Sequence, residues 1–210
     1  MTERKQKRLK ISVAVGAVLA LSVAVAGTTF AWFSKMAKEP NTFSVATNKV
    51  AVTEEFTPPT NWHPGDPVSK KVCFTNYGQL DVYLRVPAPA EIWTGADGGY
   101  LSSQYIDQNK DKHDVAAKSY TSAWKNEWTQ IGDYYYYKAT LKPGAKTDLV
   151  MDAVTLDKNV PNLAAYQNAQ YQLKFTVEAV QSLPQAAQQV WQMRPSGSSP
   201  NLSWTAYQGT

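Results

Sequence analysis

Two histidines, one cysteine and scattered carboxylates are the groups in this 210-residue chain whose types could support catalysis or metal binding. His63 and His113 lack the His-Glu-x-x-His spacing that sets two zinc ligands on one helix face. His63 precedes Pro64-Gly65, the composition of a turn. No Gly-x-Ser-x-Gly elbow occurs, and Cys73 has no histidine close in sequence to take its proton. Glu54 and Glu55 are adjacent, and adjacent strand residues point to opposite faces, so they make no acid/base pair. Asp107, Asn109 and Asp111 match the opening of a calcium loop, but Lys112 replaces its turn glycine and Lys118 its bidentate carboxylate. We read that stretch as a solvated loop. Catalytic, cofactor-binding and metal-ligating residues are each expected to be none, and the chain is not expected to be an enzyme.

One peptide bond, rather than a side-chain cluster, is the place where chemistry is expected. Arg4, Lys5, Lys7, Arg8 and Lys10 form a basic leader, and Ile11 to Gly27 is an uncharged apolar run of 17 residues. Thr29-Phe30-Ala31 follows, with small residues at the last position and two before it, the pattern a signal peptidase accepts. As a helix the run would span roughly 25 Å, the short limit for a membrane anchor. Lys35 and Lys38 are too diluted to act as a basic stop. Residues 1–31 are therefore expected to be a signal peptide, cut between Ala31 and Trp32, with membrane contact only through the uncleaved leader. The chain carries 21 Lys+Arg and 17 Asp+Glu, of which the leader holds five and one, leaving 16 of each. A mature part of zero formal charge gives no support for a nucleic-acid surface, and it lacks the net repulsion that opposes self-association.

The elements that must position these residues are strands. Val68, Lys70, Val72 and Phe74 alternate with Ser69, Lys71, Cys73 and Thr75, which places Cys73 on the outer face. After Asn76-Tyr77-Gly78 the run Leu80, Val82, Leu84, Val86 repeats the pattern, and the two together predict a hairpin. Tyr171, Leu173, Phe175, Val177 and Ala179 alternate with polar residues in the clearest strand of the chain. Trp124 to Trp128, leading through Ile131-Gly132-Asp133 into Tyr134 to Leu141, predicts a second hairpin. Tyr134 and Tyr136 fall on one face of it, Tyr135 and Tyr137 on the other, and these four are candidate interface aromatics. The expected fold is all-β, an antiparallel β-sandwich of jelly-roll type. A long inserted loop spans roughly Thr94 to Ala123, and one short C-terminal helix runs from Pro184 to Trp191. The domain is expected over 42–193, with a flexible tail at 194–210.

A set of motifs in fixed order carries a resemblance. It comprises Gly27-Thr28-Thr29-Phe30-Ala31-Trp32-Phe33-Ser34, Asn41-Thr42-Phe43-Ser44-Val45-Ala46-Thr47, Pro64-Gly65-Asp66 and Lys71-Val72-Cys73-Phe74-Thr75-Asn76-Tyr77-Gly78. Val82-Tyr83-Leu84-Arg85-Val86, the Gly132–Tyr137 segment, Leu141-Lys142-Pro143-Gly144 and Phe175–Gln181 before Trp191 complete it. Together they resemble the Gram-positive exported proteins processed by a dedicated signal peptidase of the SipW type, the group of TasA, camelysin (CalY) and BsaA. The resemblance implies a secreted jelly-roll subunit of biofilm matrix fibres, a homo-polymer with possible accessory matrix proteins as further partners. It implies that the freed segment 32–41, led by Trp32, Phe33 and Met36, adds as a strand to the neighbouring copy. Camelysin is also described as a metalloprotease, so a secreted protease is one alternative. A monomeric carbohydrate-binding surface protein using Trp93, Trp124, Trp128 and the tyrosines is another.

Overall fold

Strand β13 (Gln170–Gln181) is the spine of the molecule, with Tyr171, Leu173, Phe175, Val177 and Ala179 all turned into the core. The structure, a computed structural model, describes residues 23–32 by their backbone, and residues 49–56 and 63–209 in full. The leader before Val23, the segment with Phe33 and Met36, and the Asn41–Thr47 motif lie outside the described residues.

Two antiparallel sheets face each other. The first has seven strands and contains β1 (Val23–Trp32), β4 (Val82–Pro87), β5 (Ala90–Thr94), β6 (Tyr100–Leu101), β10 (Trp128–Ile131), β11 (Tyr134–Tyr137) and β13. The second runs in the order β2 (Val50–Phe56), β3 (Pro67–Asn76), β12 (Met151–Leu156), β9 (Ala116–Tyr120). Between them Val72, Phe74, Met151 and Val154 of the second sheet meet Leu84, Leu173, Phe175 and Val177 of the first in one apolar core. The fold class read from periodicity is the one observed.

Several details differ from expectation. β3 and β4 do not form a hairpin: β3 pairs with β2 and β12, while β4 pairs with β11 and β13. The chain crosses between sheets at a corner held by Asn76, whose Nδ2 donates to the carbonyls of Leu80 at 2.8 Å and Leu141 at 3.0 Å. Its Oδ1 accepts from Gly78 N at 2.8 Å. A fully buried side-chain amide with these bonds fixes a corner that alternation alone does not reveal. Cys73 and Thr75 do point away from Val72 and Phe74, but they are buried there rather than exposed, with Thr75 Oγ1 2.6 Å from Thr53 Oγ1, and residues 144–150 run back alongside β3 and bond to Phe74 and Val72. The stretch from Thr94 to Ala123, expected as one loop, is instead broken into β6, β7 (Gln104–Ile106), β8 (Lys112–Asp114), β9 and helix α1 (Ser122–Asn126). Val115 and Ala116, both fully buried, anchor it, and β9 pairs with β12. A second short helix, α2 (Leu163–Gln167), precedes β13.

The second expected hairpin forms over Trp128–Tyr137, while Trp124 falls in α1 instead; Ile131 stands opposite Tyr134 and Gly132 is at φ +59°, a backbone region that glycine enters without strain. Beyond helix α3 (Pro184–Trp191) the expected flexible tail is a second hairpin, β14 (Met193–Ser196) with β15 (Ser203–Ala206). Trp204 anchors it: its Nε1 donates to the carbonyl of Tyr137 at 3.0 Å, and its ring lies 5.2 Å from Tyr83 and 5.3 Å from Tyr136. Met193, Leu202, Trp191 and Val180 join them in a small second core on the outer face of the first sheet. The polar composition of 194–210 concealed this because two side chains, Leu202 and Trp204, do the docking. Replacing Trp204 by Ala should lower unfolding stability by about 3–5 kcal/mol in urea titrations, the cost of a large buried aromatic. Thr205→Ala on the exposed side should stay within about 0.5 kcal/mol. A midpoint unmoved by Trp204→Ala would show that the hairpin hangs free.

Candidate functional site

β13 is paired along both edges, and the two edges differ in kind. On one edge β4 and β5 follow each other as a single bent partner, Val82 opposite Gln181 to Arg85 opposite Glu178, then Ala90 opposite Lys174 to Thr94 opposite Gln170. Pro87 and Pro89 flank the bend between them, where a missing N–H costs no ladder bond. The other edge is covered by β1 alone, residue for residue without a bulge, from Val23 opposite Ala179 to Trp32 opposite Gln170.

The expected cleavage residues therefore lie inside a strand pairing. Thr29 stands opposite Leu173, Ala31 opposite Tyr171 and Trp32 opposite Gln170. A cut between Ala31 and Trp32 severs all of β1 except Trp32 from the folded chain. It opens the main-chain donors and acceptors of β13 from Tyr171 to Ala179, above a row of side chains that are fully or almost fully buried. Backbone groups left in that position must find a partner, and an extended chain supplies one at every second residue. No signal within Gln170–Gln181 marks it as the strand whose edge depends on residues so far upstream; its alternation reveals a face and says nothing of edges.

Around this edge the charges are fixed. Glu178 accepts from Arg85 Nη2 at 2.6 Å and Nε at 2.7 Å, and the Arg85 guanidinium lies 4.0 Å over the Tyr134 ring and 5.0 Å from Trp191. Tyr134 and Tyr136 thus pack toward the second core, while Tyr135 and Tyr137 pack toward the main one. The alternation expected for the four tyrosines is observed, but both faces are occupied within the chain. Trp93, Trp124 and Trp128 are also buried, so none of these indoles offers a face on which a sugar could stack.

The other acidic, basic and histidine groups singled out by the sequence have partners among the described residues. Glu54 points inward to Lys70 and Glu55 outward, 3.9 Å from Lys71. Lys70 is fully buried, with its amine on Glu54 and 5.5 Å from the Phe56 ring. Burial pushes the Lys70 pKa down and that of Glu54 up, each against the opposing pull of the other. Beside β7 and β8 a groove of about 750 Å³ is lined by Tyr105, Asp107, His113 and Asp157. There Tyr105 donates to Asp157 at 2.6 Å, which pushes its pKa up to about 12. Asp107 accepts from the backbone of Asn109 and Asp111 and lies 3.3 Å from His113, so the loop satisfies its own carboxylate. His63 sits apart in an exposed turn with Asp66.

A family model described as camelysin metallo-endopeptidase matches residues 5–87, from the leader to the end of β4. No curated protein and no solved structure matches the chain. The metal that such a description implies was tested against the donor set. Among the described residues no three or more His, Cys, Asp or Glu side chains are grouped so as to hold an ion, and each histidine is paired with a different aspartate. These residues do not fit a catalytic zinc centre, which takes three protein ligands around one point.

The buried pair makes a separable prediction. Lys70→Met alone strands the Glu54 carboxylate and should cost about 3–5 kcal/mol in denaturant titrations. Combining it with Glu54→Leu should return the protein to within about 1 kcal/mol of the parent or above it. A double variant as unstable as the single one would mean that packing, and not the uncompensated charge, carries the loss.

Proposed function

We propose that this chain is an exported structural subunit that builds extracellular biofilm matrix fibres, each copy donating its freed N-terminal segment as a strand to the next. The observation that carries this reading is the place of the expected cut: it removes the partner of the β13 edge while leaving a new end at Trp32. A signal peptidase of the SipW type is the partner in processing, and further copies of the chain are the partners in assembly. An edge that is filled from a neighbour makes a heterologous contact, which does not close on itself and so propagates. The zero formal charge of residues 32–210 leaves no net repulsion against it. Of the donor residues, Trp32 ends β1, while Phe33 and Met36 lie outside the described residues. On this reading the chain is not an enzyme, and its place is the cell surface or the extracellular matrix.

The description of the matching family favours a second reading, a secreted metallo-endopeptidase. Zymography of the purified mature protein separates the two, since cleavage abolished by a chelator would support the protease. For the first reading, sequencing of the secreted protein should begin at Trp32, and negative-stain microscopy of that form should show fibres. A form lacking residues 32–41 should remain monomeric at the same concentration. Mature protein that stays as single particles when concentrated would overturn strand donation.

A further inference from the structure

The core-facing row of β3 is Val68, Lys70, Val72 and Phe74, and the lysine in it is as buried as its apolar neighbours. Lys70 stands opposite Phe56 of β2, so Glu54, two residues back along β2, reaches it diagonally on the same face of the sheet. The amine rests on Glu54 Oε1, with the Phe56 ring 5.5 Å away. An ammonium has three N–H groups to satisfy, and among the described residues Glu54 is the one hydrogen-bond partner of this amine. A charged lysine is therefore poorly served here, in a place without water to make up the difference. We propose that Lys70 and Glu54 are a site of intramolecular amide formation, in which Nζ of Lys70 becomes bonded to Cδ of Glu54 with loss of one water.

The reacting form holds the proton of the ion pair on the carboxyl instead of on the amine. Burial favours that arrangement, since it pushes the Lys70 pKa down and the Glu54 pKa up against the pull of each group on the other. The amine lone pair attacks Cδ, the N–C bond forms and the carbonyl π pair moves onto oxygen. As that pair returns, the C–O bond breaks and the hydroxyl leaves with a proton given up by the nitrogen. One water departs, no charge is created, and no oxidant or other reactant is consumed. In bulk water the reverse reaction is drawn forward because the freed acid and amine both ionise and are hydrated. A buried site withholds that hydration, so the balance shifts toward the amide.

Lys118 shows the opposite case in the same fold. Its amine lies 2.7 Å from Glu91 and 3.0 Å from Asp114, but its side chain is 15% exposed where that of Lys70 is at 0%. Burial works against its charge too, yet the two carboxylates together raise its pKa. Lys118 stays an ammonium, has no lone pair to attack with, and should remain open. The Lys70 site also falls where a bond has most to hold. β2 is an edge strand of the second sheet and pairs along one side, with β3. An amide between them ties covalently an edge otherwise kept by main-chain hydrogen bonds, in a chain whose single cysteine can make no internal disulfide. The inference concerns one chain and does not depend on strand donation.

The test reads the mass of the purified protein when fresh and after prolonged incubation at neutral pH. A chain lighter by one water than its sequence requires should appear, in a fraction that grows with time. Trypsin should then fail to cut after Lys70 while still cutting after Lys118. The acid-labile Asp66–Pro67 bond lies between the joined residues. Breaking it should leave the tryptic peptide Val50–Lys71 in one piece when the amide is closed and in two when it is open. Lys70→Met combined with Glu54→Leu should keep its full mass at every time, and the stability comparison made above for these variants takes the open parent as its reference. Full mass throughout in the parent would overturn the cross-link. So would a water lost elsewhere, as in the Asp97-Gly98 turn, where an aspartate can cyclise onto its own backbone.

Discussion

The hydrogen-bonding of one strand, β13, governs the rest of this structure. Its inward side chains form the centre of the main core, so the strand has no freedom to leave the sheet, and its main chain must be satisfied on both edges where it stands. One edge is secured permanently by β4 and β5, which arrive from elsewhere in the folded domain. The other is secured by a segment that precedes the expected cleavage bond. A cut at that bond would set folding and processing in opposition at a single place, and an extended chain is what would resolve it.

Periodicity made the faces of this fold legible and left the partners hidden. The alternation of Tyr171 to Ala179 and of Tyr134 to Tyr137 placed each side chain on its correct side, because side-chain direction is a local property of a strand. Which strands lie next to one another is not local. The run from Val68 to Val86 reads as a hairpin, yet Asn76 turns the chain from one sheet to the other through bonds to Leu80 and to Leu141, a residue far along the chain. Cys73 lies on the face that alternation assigns, but its burial there is not a local property either, since Thr53 and the segment 144–150 flank β3. In the C-terminal stretch, composition was a poor guide, as one indole and one leucine in a run of Pro, Ser, Gly and Asn dock the whole hairpin. A mean over a window dilutes what two residues decide.

The candidate site was legible only in part. Sequence suggested a cut and a segment that follows it, while the pairing of the expected cleavage residues with β13 joins positions more than a hundred apart and had no local signal. The polar groups that drew attention as possible catalysts are accounted for by the same geometry. Glu54 serves a buried lysine, Asp107 closes its own loop, and each histidine stands beside a separate aspartate. Buried charges of this sort do little for stability unless both partners remain, and they fix which strands lie side by side. Here they hold β2 beside β3 and close the loop between β7 and β8.

A scaffold that fills its edge from outside gains a directional rule for assembly. A strand added in trans makes main-chain bonds whatever its sequence, so those bonds favour association without choosing a partner or a register. The choice must come from side chains, and an edge strand offers two kinds. Apolar residues turned inward set the parity, because a shift by one residue exchanges the buried and exposed faces. Charges turned outward set the position within that parity, because they distinguish slips of two residues that leave the inward face chemically similar. β13 carries both: a continuous apolar row beneath and Lys174 and Glu178 above, with Glu178 already held in place by Arg85. Glu178 and Arg85 already show such a pair at work within the fold, directly opposite each other where β13 pairs with β4.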